Sequence, residues 1–404
     1  MKRDPLCHSV LRERHRSLET WTASRIIEMS ASVNMTNDSA AATENGTNVP
    51  HGPNSPAPQF ISPFSSDYVT AMTAAYALIF IVALFGNSFG LFVALKKSSA
   101  TNVTNLFIAN MAVADLLLTV TAMPFSVAFF YRDIRWFSGT LGTITCKAVF
   151  YIITVSIAAT VLTMLVISID RFYAVFYPLR DKLFRQSRVF SAIVWILSIA
   201  LMIPNVLIFQ VKFDPLLNAP ACVQAWPWGD PNDITETYRV LKIFHICVFV
   251  ILYVFPLSIM AVVYFLICRK LWHRIIPGHV TQNNRVAAEM SKRKVVRQLV
   301  ILVVVFALCW FPTYVNHYFW FVRPEHYHKV QVEVYFVFTW LAHANSAINP
   351  CLYVILSGSF RRELTSVLTC CPGLRCCSCL SNCQNRRRPT VVRITAPRAG
   401  PSGL

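Results

Sequence analysis

The sequence predicts an all-α membrane protein: a bundle of seven transmembrane helices followed by a short amphipathic helix. Three observations predict it. Seven long stretches are free, or almost free, of charge; basic residues alternate from loop to loop; and the 404 residues are 55% hydrophobic and 14% charged, with a mean hydropathy of +0.49. Soluble domains carry about 25% charge.

The apolar stretches, here spans one to seven, are Val69–Leu95, Val103–Tyr131, Ala148–Ile169, Val189–Val211, Ile243–Cys268, Gln298–Val322 and Val334–Phe360. Each is longer than the roughly 20 residues that cross the hydrocarbon at about 1.5 Å per residue. Lipid offers backbone groups no hydrogen bonds, so a chain that closes no barrel crosses as helix. Span two carries one acid, Asp115.

Charge sets the orientation. Segments after spans one, three, five and seven hold 23 Lys and Arg against four acids; the N-terminal segment and the remaining loops hold 14 against 14. Short Lys/Arg-rich loops stay in the cytoplasm, which places the N-terminus outside a plasma-membrane protein and the C-terminus inside. The net charge of +18 therefore belongs to an inner surface facing anionic lipid and not to nucleic-acid binding.

Residues 1–68 read as a disordered outer tail, with glycosylation acceptors at Asn34, Asn37 and Asn45. No apolar stretch occupies the first 28 residues, so span one is expected to serve as the insertion signal. Residues 69–357 form the spanning domain, 358–369 a membrane-surface helix and 370–404 a Cys- and Arg-rich inner tail. Phe360, Leu364, Val367 and Leu368 share one side of the surface helix. Cysteines directly after it, Cys370 and Cys371 first, suit palmitoylation; zinc at Cys376, Cys379 and Cys383 is the rival reading. The four cysteines within spans, Cys247, Cys268, Cys309 and Cys351, are expected to pack as small hydrophobes.

Polar and Pro residues inside the spans are few. Span one carries Gly86-Asn87, span two Asn110, Asp115 and Met123-Pro124-Phe125. Span three begins near Cys146 and ends in Asp170-Arg171-Phe172; Trp195 lies in span four, Pro256 and Tyr264 in span five. Span six holds Cys309-Trp310-Phe311-Pro312, and span seven Asn345-Ser346, Asn349-Pro350 and Tyr353. An ionised Asp at mid-membrane costs at least about 2.5 kcal/mol, so Asp115 needs partners; Asn87, Asn345, Ser346 and Asn349 are available. Asp170 is placed to hold the neighbouring Arg171 guanidinium in one rotamer.

This set, in this order, resembles the rhodopsin-like (class A) G-protein-coupled receptors over residues 70 to about 369. The resemblance implies a receptor and not an enzyme, with an extracellular ligand outside and a heterotrimeric G protein, arrestin and a receptor kinase inside. It implies that Arg171 meets the G protein after span six swings out, with Tyr264 and Tyr353 bracing it. It further implies that Trp310 and Pro312 lie beneath the ligand, that Asn349 and Pro350 belong to the activation machinery, and that Cys146 and Cys222 form a disulfide. A sodium ion is implied at Asp115, Ser156, Thr160, Asn345 and Asn349; a purely structural hydrogen-bond cluster is the alternative. Phe172 stands where Tyr is more common. Lys292 stands where many members carry an acid that restrains the span-three Arg, so signalling without agonist is expected.

His343 replaces the retinal-binding Lys of opsins, and Ile153 the Asp of amine receptors. Met123-Pro124-Phe125, Arg135-Trp136-Phe137-Ser138-Gly139 and the basic run Lys292–Arg297 resemble neuropeptide receptors of the tachykinin, neuropeptide Y and RFamide types. By family position, Phe125, Ile153, Thr154, Ile157, Tyr314, His317, Tyr318, Tyr335, Phe336, Thr339 and His343 face the outer cavity, an aromatic site suited to an amidated or aromatic peptide end. Asp214, Asp230, Asp233 and Glu236 either attract a basic peptide or form a solvated face. His326 and His328 either bind metal with His317 or are solvated. A lipid-sensing or constitutively active orphan receptor remains the alternative. A transporter or channel would want internal repeats or several membrane acids, and the sequence has neither. The tail has few Ser and Thr, so weak arrestin recruitment is expected.

Overall fold

The structure, a computed structural model, describes residues 64–96, 103–177, 187–215, 217–228, 234–272, 282–322 and 332–370. Among them, six helices are long and apolar enough to cross a membrane: Ser66–Leu95, Leu106–Arg132, Gly139–Phe176, Arg188–Ile208, Thr235–Leu271 and Arg293–Val322. The seventh, Val332–Leu356, is diluted by His343, Asn345, Ser346, Asn349 and Pro350, all buried. The fold is an all-α membrane bundle, with one β-hairpin among the described residues.

Span three lies against spans two, four, five and six. Small residues allow the approach: Ala158 and Ala159 are fully buried. Spans one, two and seven share a second cluster around Tyr76, Ala83, Phe130, Phe336 and Ala347. There Gly86 is required, because a Cβ at this position would lie 2.6 Å from Pro350 Cγ. Pro350 also lacks the N–H that would bond the Ser346 carbonyl one turn earlier; Asn87 Nδ2 donates to that carbonyl instead, at 2.8 Å.

The helices of spans three and six, Gly139–Phe176 and Gln282–Val322, run beyond the expected Ala148–Ile169 and Gln298–Val322. Spans four, five and seven differ too, each for a local reason. Span four does not run helically to Val211. Its helix Ser187–Leu201 breaks at Met202, resumes as Ile203–Ile208 with Pro204 in its first turn, and gives way to strand β1, Phe209–Asp214. β1 pairs antiparallel with β2, Ala219–Gln224, through a turn in which Asn218 has φ 46°. Apolarity alone did not separate Phe209–Val211 from the helix before it. Span five starts earlier, at Ile234, because Glu236, Arg239 and Lys242 extend the helix beyond the hydrocarbon. A π-helical turn, Val250–Val254, precedes Pro256, and the Phe255 N–H reaches back to the Val250 carbonyl. The wider turn gives the Pro ring room.

Span seven stops at Leu356, short of Phe360. Within the unit Val354–Leu404, the Phe360 N–H donates to Ser357 Oγ, which starts a separate helix, Gly358–Cys370. The Arg361 guanidinium donates to the Val354 and Ile355 carbonyls at 3.2 and 2.5 Å, closing acceptors left open at a helix end. Arg361 and Arg362 are exposed while Leu364 and Val367 are half-buried, so this helix is amphipathic.

Of the four span cysteines, Cys309 is buried and Cys268 half-buried, but Cys247 and Cys351 are exposed on the bundle and are not core residues. A thiol is apolar enough to tolerate lipid contact. Asn34, Asn37, Asn45, Asp181, Asp230, Asp233, His326, His328, Cys371 and the tail beyond lie outside the described residues, as do the side chains of Glu289, Lys292 and Cys370.

Candidate functional site

At mid-bundle Asp115 is buried and both its carboxylate oxygens accept hydrogen bonds, Oδ1 from Ser346 Oγ at 2.8 Å and Oδ2 from Asn349 Nδ2 at 2.9 Å. Asn345 Oδ1 and Asn87 Oδ1 are buried without a hydrogen-bond partner. Ser156 and Thr160 are buried on span three, with Ser156 Oγ donating to the Ile152 carbonyl at 2.7 Å. A carboxylate, an unpartnered amide oxygen and hydroxyl oxygens are the donor set of a hard cation, so these residues fit the sodium ion that the family resemblance implies.

Toward the inner face, Arg171 and Asp170 are joined at 2.7 Å. The Tyr264 hydroxyl accepts from Ser168 Oγ at 2.9 Å. Tyr353 is buried with its hydroxyl 3.8 Å from Met111 Sδ. Two cations tie the end of span five to its neighbours. Arg293 Nη2 of span six donates to the Leu271 carbonyl at 2.5 Å, and Lys270 Nζ lies 4.1 Å from the Phe176 ring of span three and donates to the Phe176 carbonyl at 3.4 Å. Sequence reasoning missed both. Arg293 belongs to the basic run Lys292–Arg297, read from the sequence only as a receptor-like feature, with nothing to mark the carbonyl it meets.

At the outer face the Cys146–Cys222 disulfide joins span three to β2, with the two Cα atoms 5.8 Å apart. The first outer loop adds to the hairpin: the Trp136 N–H donates to the Pro220 carbonyl at 2.8 Å and the Cys222 N–H to the Ile134 carbonyl at 3.1 Å. Trp136 Nε1 donates to Gly142 O and Thr145 Oγ1, both at 3.0 Å. Phe209 stacks on Phe150 with ring centroids 3.9 Å apart, and Phe125 meets Phe150 edge-on at 4.9 Å. The hairpin and following segment leave Phe213 63% and Trp228 57% exposed.

Deeper in the outer half, Tyr314 packs against Phe249, Tyr253 and Trp310. Trp310 Nε1 and Asn316 Nδ2 are buried donors without a hydrogen-bond partner. Tyr253 donates to the Ala307 carbonyl, tying span five to span six at 2.9 Å, and Thr313 Oγ1 donates to the Phe338 carbonyl, tying six to seven at 2.9 Å.

The family model described as 7 transmembrane receptor (rhodopsin family) matches residues 86–353, more than half of the chain. This chain belongs to the rhodopsin family of seven-transmembrane receptors. The family is one of signalling receptors, not enzymes, and couples an extracellular ligand to a G protein.

In this rhodopsin-family receptor the eleven residues expected around the ligand divide into separate groups. Phe125 joins the Phe150 and Trp136 rings beneath the hairpin. Ile153, Thr154 and Ile157 are half-buried on span three, and the Thr154 hydroxyl bonds its own helix at the Phe150 carbonyl. Tyr335 and Thr339 are half-buried on span seven, with Thr339 Oγ1 donating to the Tyr335 carbonyl. Phe336 is instead buried among Phe64, Phe129 and Phe130, and His343 is buried against the Tyr76 hydroxyl at 3.3 Å. Tyr318 is 49% exposed. His317 faces His245 of span five, with ring centroids 5.7 Å apart. His245, Tyr76 and Gln224 carried no sequence signal, because each is a lone polar residue in an apolar or loop stretch.

Proposed function

We propose that this receptor is gated by an extracellular peptide and, once gated, promotes nucleotide exchange on a heterotrimeric G protein. The observation that carries the ligand class is the chemistry of the outer half-bundle. Away from the span ends, Asp115 is the sole carboxylate among the described residues of the spans, and its oxygens are taken up by Ser346 and Asn349. A protonated amine therefore meets no counter-ion at Ile153. What the outer half offers is aromatic surface at Phe125, Tyr314 and Tyr335, and buried N–H donors at Trp310 and Asn316. Aromatic side chains and backbone carbonyls are what a peptide end brings to such a site. The exposed Phe213 and Trp228 extend the apolar surface outward, toward the rest of a chain too long for the bundle.

Gating is a shift between two states, and a ligand moves it only by binding one state more tightly. Peptide contact on spans three, six and seven favours the state in which span six swings out at its inner end and Arg171, freed from Asp170, meets the G protein. With Lys292 where an acid would restrain that guanidinium, the equilibrium starts closer to balance and a smaller differential affinity suffices. A sodium ion at Asp115 would neutralise a carboxylate there; Asn345, Asn349, Ser156 and Thr160 are the residues that would hold it, and its binding would favour the closed state.

A peptide-library screen on cells expressing the chain, reading calcium and cyclic AMP together, tests this reading. A saturable response abolished by Arg171→Ala is expected. Silence to all peptides with a response to lipids would transfer the reading to a lipid-sensing receptor.

A further inference from the structure

The outer ends of spans five and six meet through two imidazoles. His245 and His317 lie with ring centroids 5.7 Å apart and planes inclined by 41°. Phe321 stacks on His245 at 3.9 Å and holds that ring in place. On its other side, His245 Nε2 lies 3.1 Å from Gln224 Oε1, the last residue of β2, whose position is fixed by pairing with Phe209. An amide oxygen only accepts, so Nε2 carries the proton and Nδ1 keeps its lone pair.

We propose that His245 and His317 form a binding site for a late first-row divalent cation, zinc foremost, with Gln224 orienting His245 from behind. Imidazole nitrogens bind zinc at about 2.0–2.1 Å, so two rings sharing one ion place their centroids on the order of 5 to 6 Å apart. Histidine ligands commonly donate their second N–H to a carbonyl or carboxylate, which fixes tautomer and ring orientation; Gln224 already does this. Imidazole pairs favour zinc and copper over calcium or magnesium, which demand oxygen. Two protein ligands leave the remaining positions to water, so binding is reversible and weaker than in a closed four-ligand site. An ion here would bridge span five to span six at the outer face, beside Tyr238, whose hydroxyl donates to the Phe321 carbonyl at 2.8 Å. The site stands independently of the peptide reading, because its residues and its test need no peptide.

Purified full-length receptor titrated with zinc chloride, with its unfolding temperature followed, tests the site. The expected result is a saturable rise that is reversed by EDTA and lost in both His245→Gln and His317→Gln. Serine at Cys370, Cys371, Cys376, Cys377, Cys379 and Cys383 should leave the rise intact, which separates the site from the tail thiols. Should a histidine variant fold poorly, Gln224→Glu reads the site from the other direction. A carboxylate partner makes His245 a stronger ligand and should lower the half-saturating zinc concentration about tenfold. No saturable shift in the parent protein overturns the proposal. So does a shift of equal size in both glutamine variants, or one that Gln224→Glu leaves unmoved.

Discussion

Ser346 donates its hydroxyl to Asp115 Oδ1 across 231 residues of chain, and its own backbone carbonyl accepts from Asn87. That carbonyl is free to accept because Pro350, one turn on, has no N–H to give it. One residue of span seven is thereby bonded to spans one and two at once, and the buried carboxyl and the break in the helix's own hydrogen bonding at Pro350 share one set of partners.

Asp115→Ala leaves the Ser346 hydroxyl and the Asn349 amide without their acceptor. Each buried orphan costs about 1–3 kcal/mol, so a clear fall in unfolding temperature is expected for the purified receptor. Asp115→Asn keeps the volume and one acceptor and should lose less. Both variants should lose the rise in unfolding temperature expected when potassium is replaced by sodium.

Gly86→Ala drives a methyl group into Pro350, 2.6 Å from Cγ and 2.7 Å from Cβ. Overpacking of this kind costs about 1–3 kcal/mol. Reduced surface expression is expected, and a larger loss for Gly86→Leu. Gly90→Ala is the control, because a Cβ there has nothing within 4 Å.

Cys146→Ser removes the link that closes a chain separation of 76 residues. Loss of such a bridge costs about 2–5 kcal/mol. Surface labelling of intact cells should fall sharply, and Cys222→Ser should match it. The double variant should be no worse than either single, because the two thiols act as one bond.

Arg293→Ala breaks the bond from span six to the Leu271 carbonyl at the end of span five. A charge-assisted hydrogen bond contributes about 1.5–3 kcal/mol. If it is made only in the closed state, its loss should raise agonist-free signalling roughly tenfold or more. Second-messenger output normalised to surface receptor checks this, and Arg293→Lys should fall between the two.

The spans were legible because lipid imposes one simple requirement, a long run without charge, and the chain meets it seven times. The partners of Asp115 were legible for the converse reason: polar residues in such runs are so few that Ser346 and Asn349 stood out. The end of span four was not, since Phe209–Val211 is as apolar as the helix before it and only pairing with Cys222–Gln224 makes it a strand. Phe336 and His343 were assigned to the cavity by family position, which does not reveal that Phe64, Phe130 and Tyr76 pack beside them. The His245–His317 pair depends on two spans meeting at one height, a relation no local pattern encodes.

The most direct measurement is nucleotide exchange on purified heterotrimeric G proteins by the receptor in lipid nanodiscs, with and without a peptide hit, for the parent chain and Arg171→Ala. The account predicts exchange above the spontaneous rate without peptide, a further saturable rise with peptide, and neither in Arg171→Ala. Exchange no faster than with empty nanodiscs across the G-protein families, or unchanged by Arg171→Ala, would contradict it.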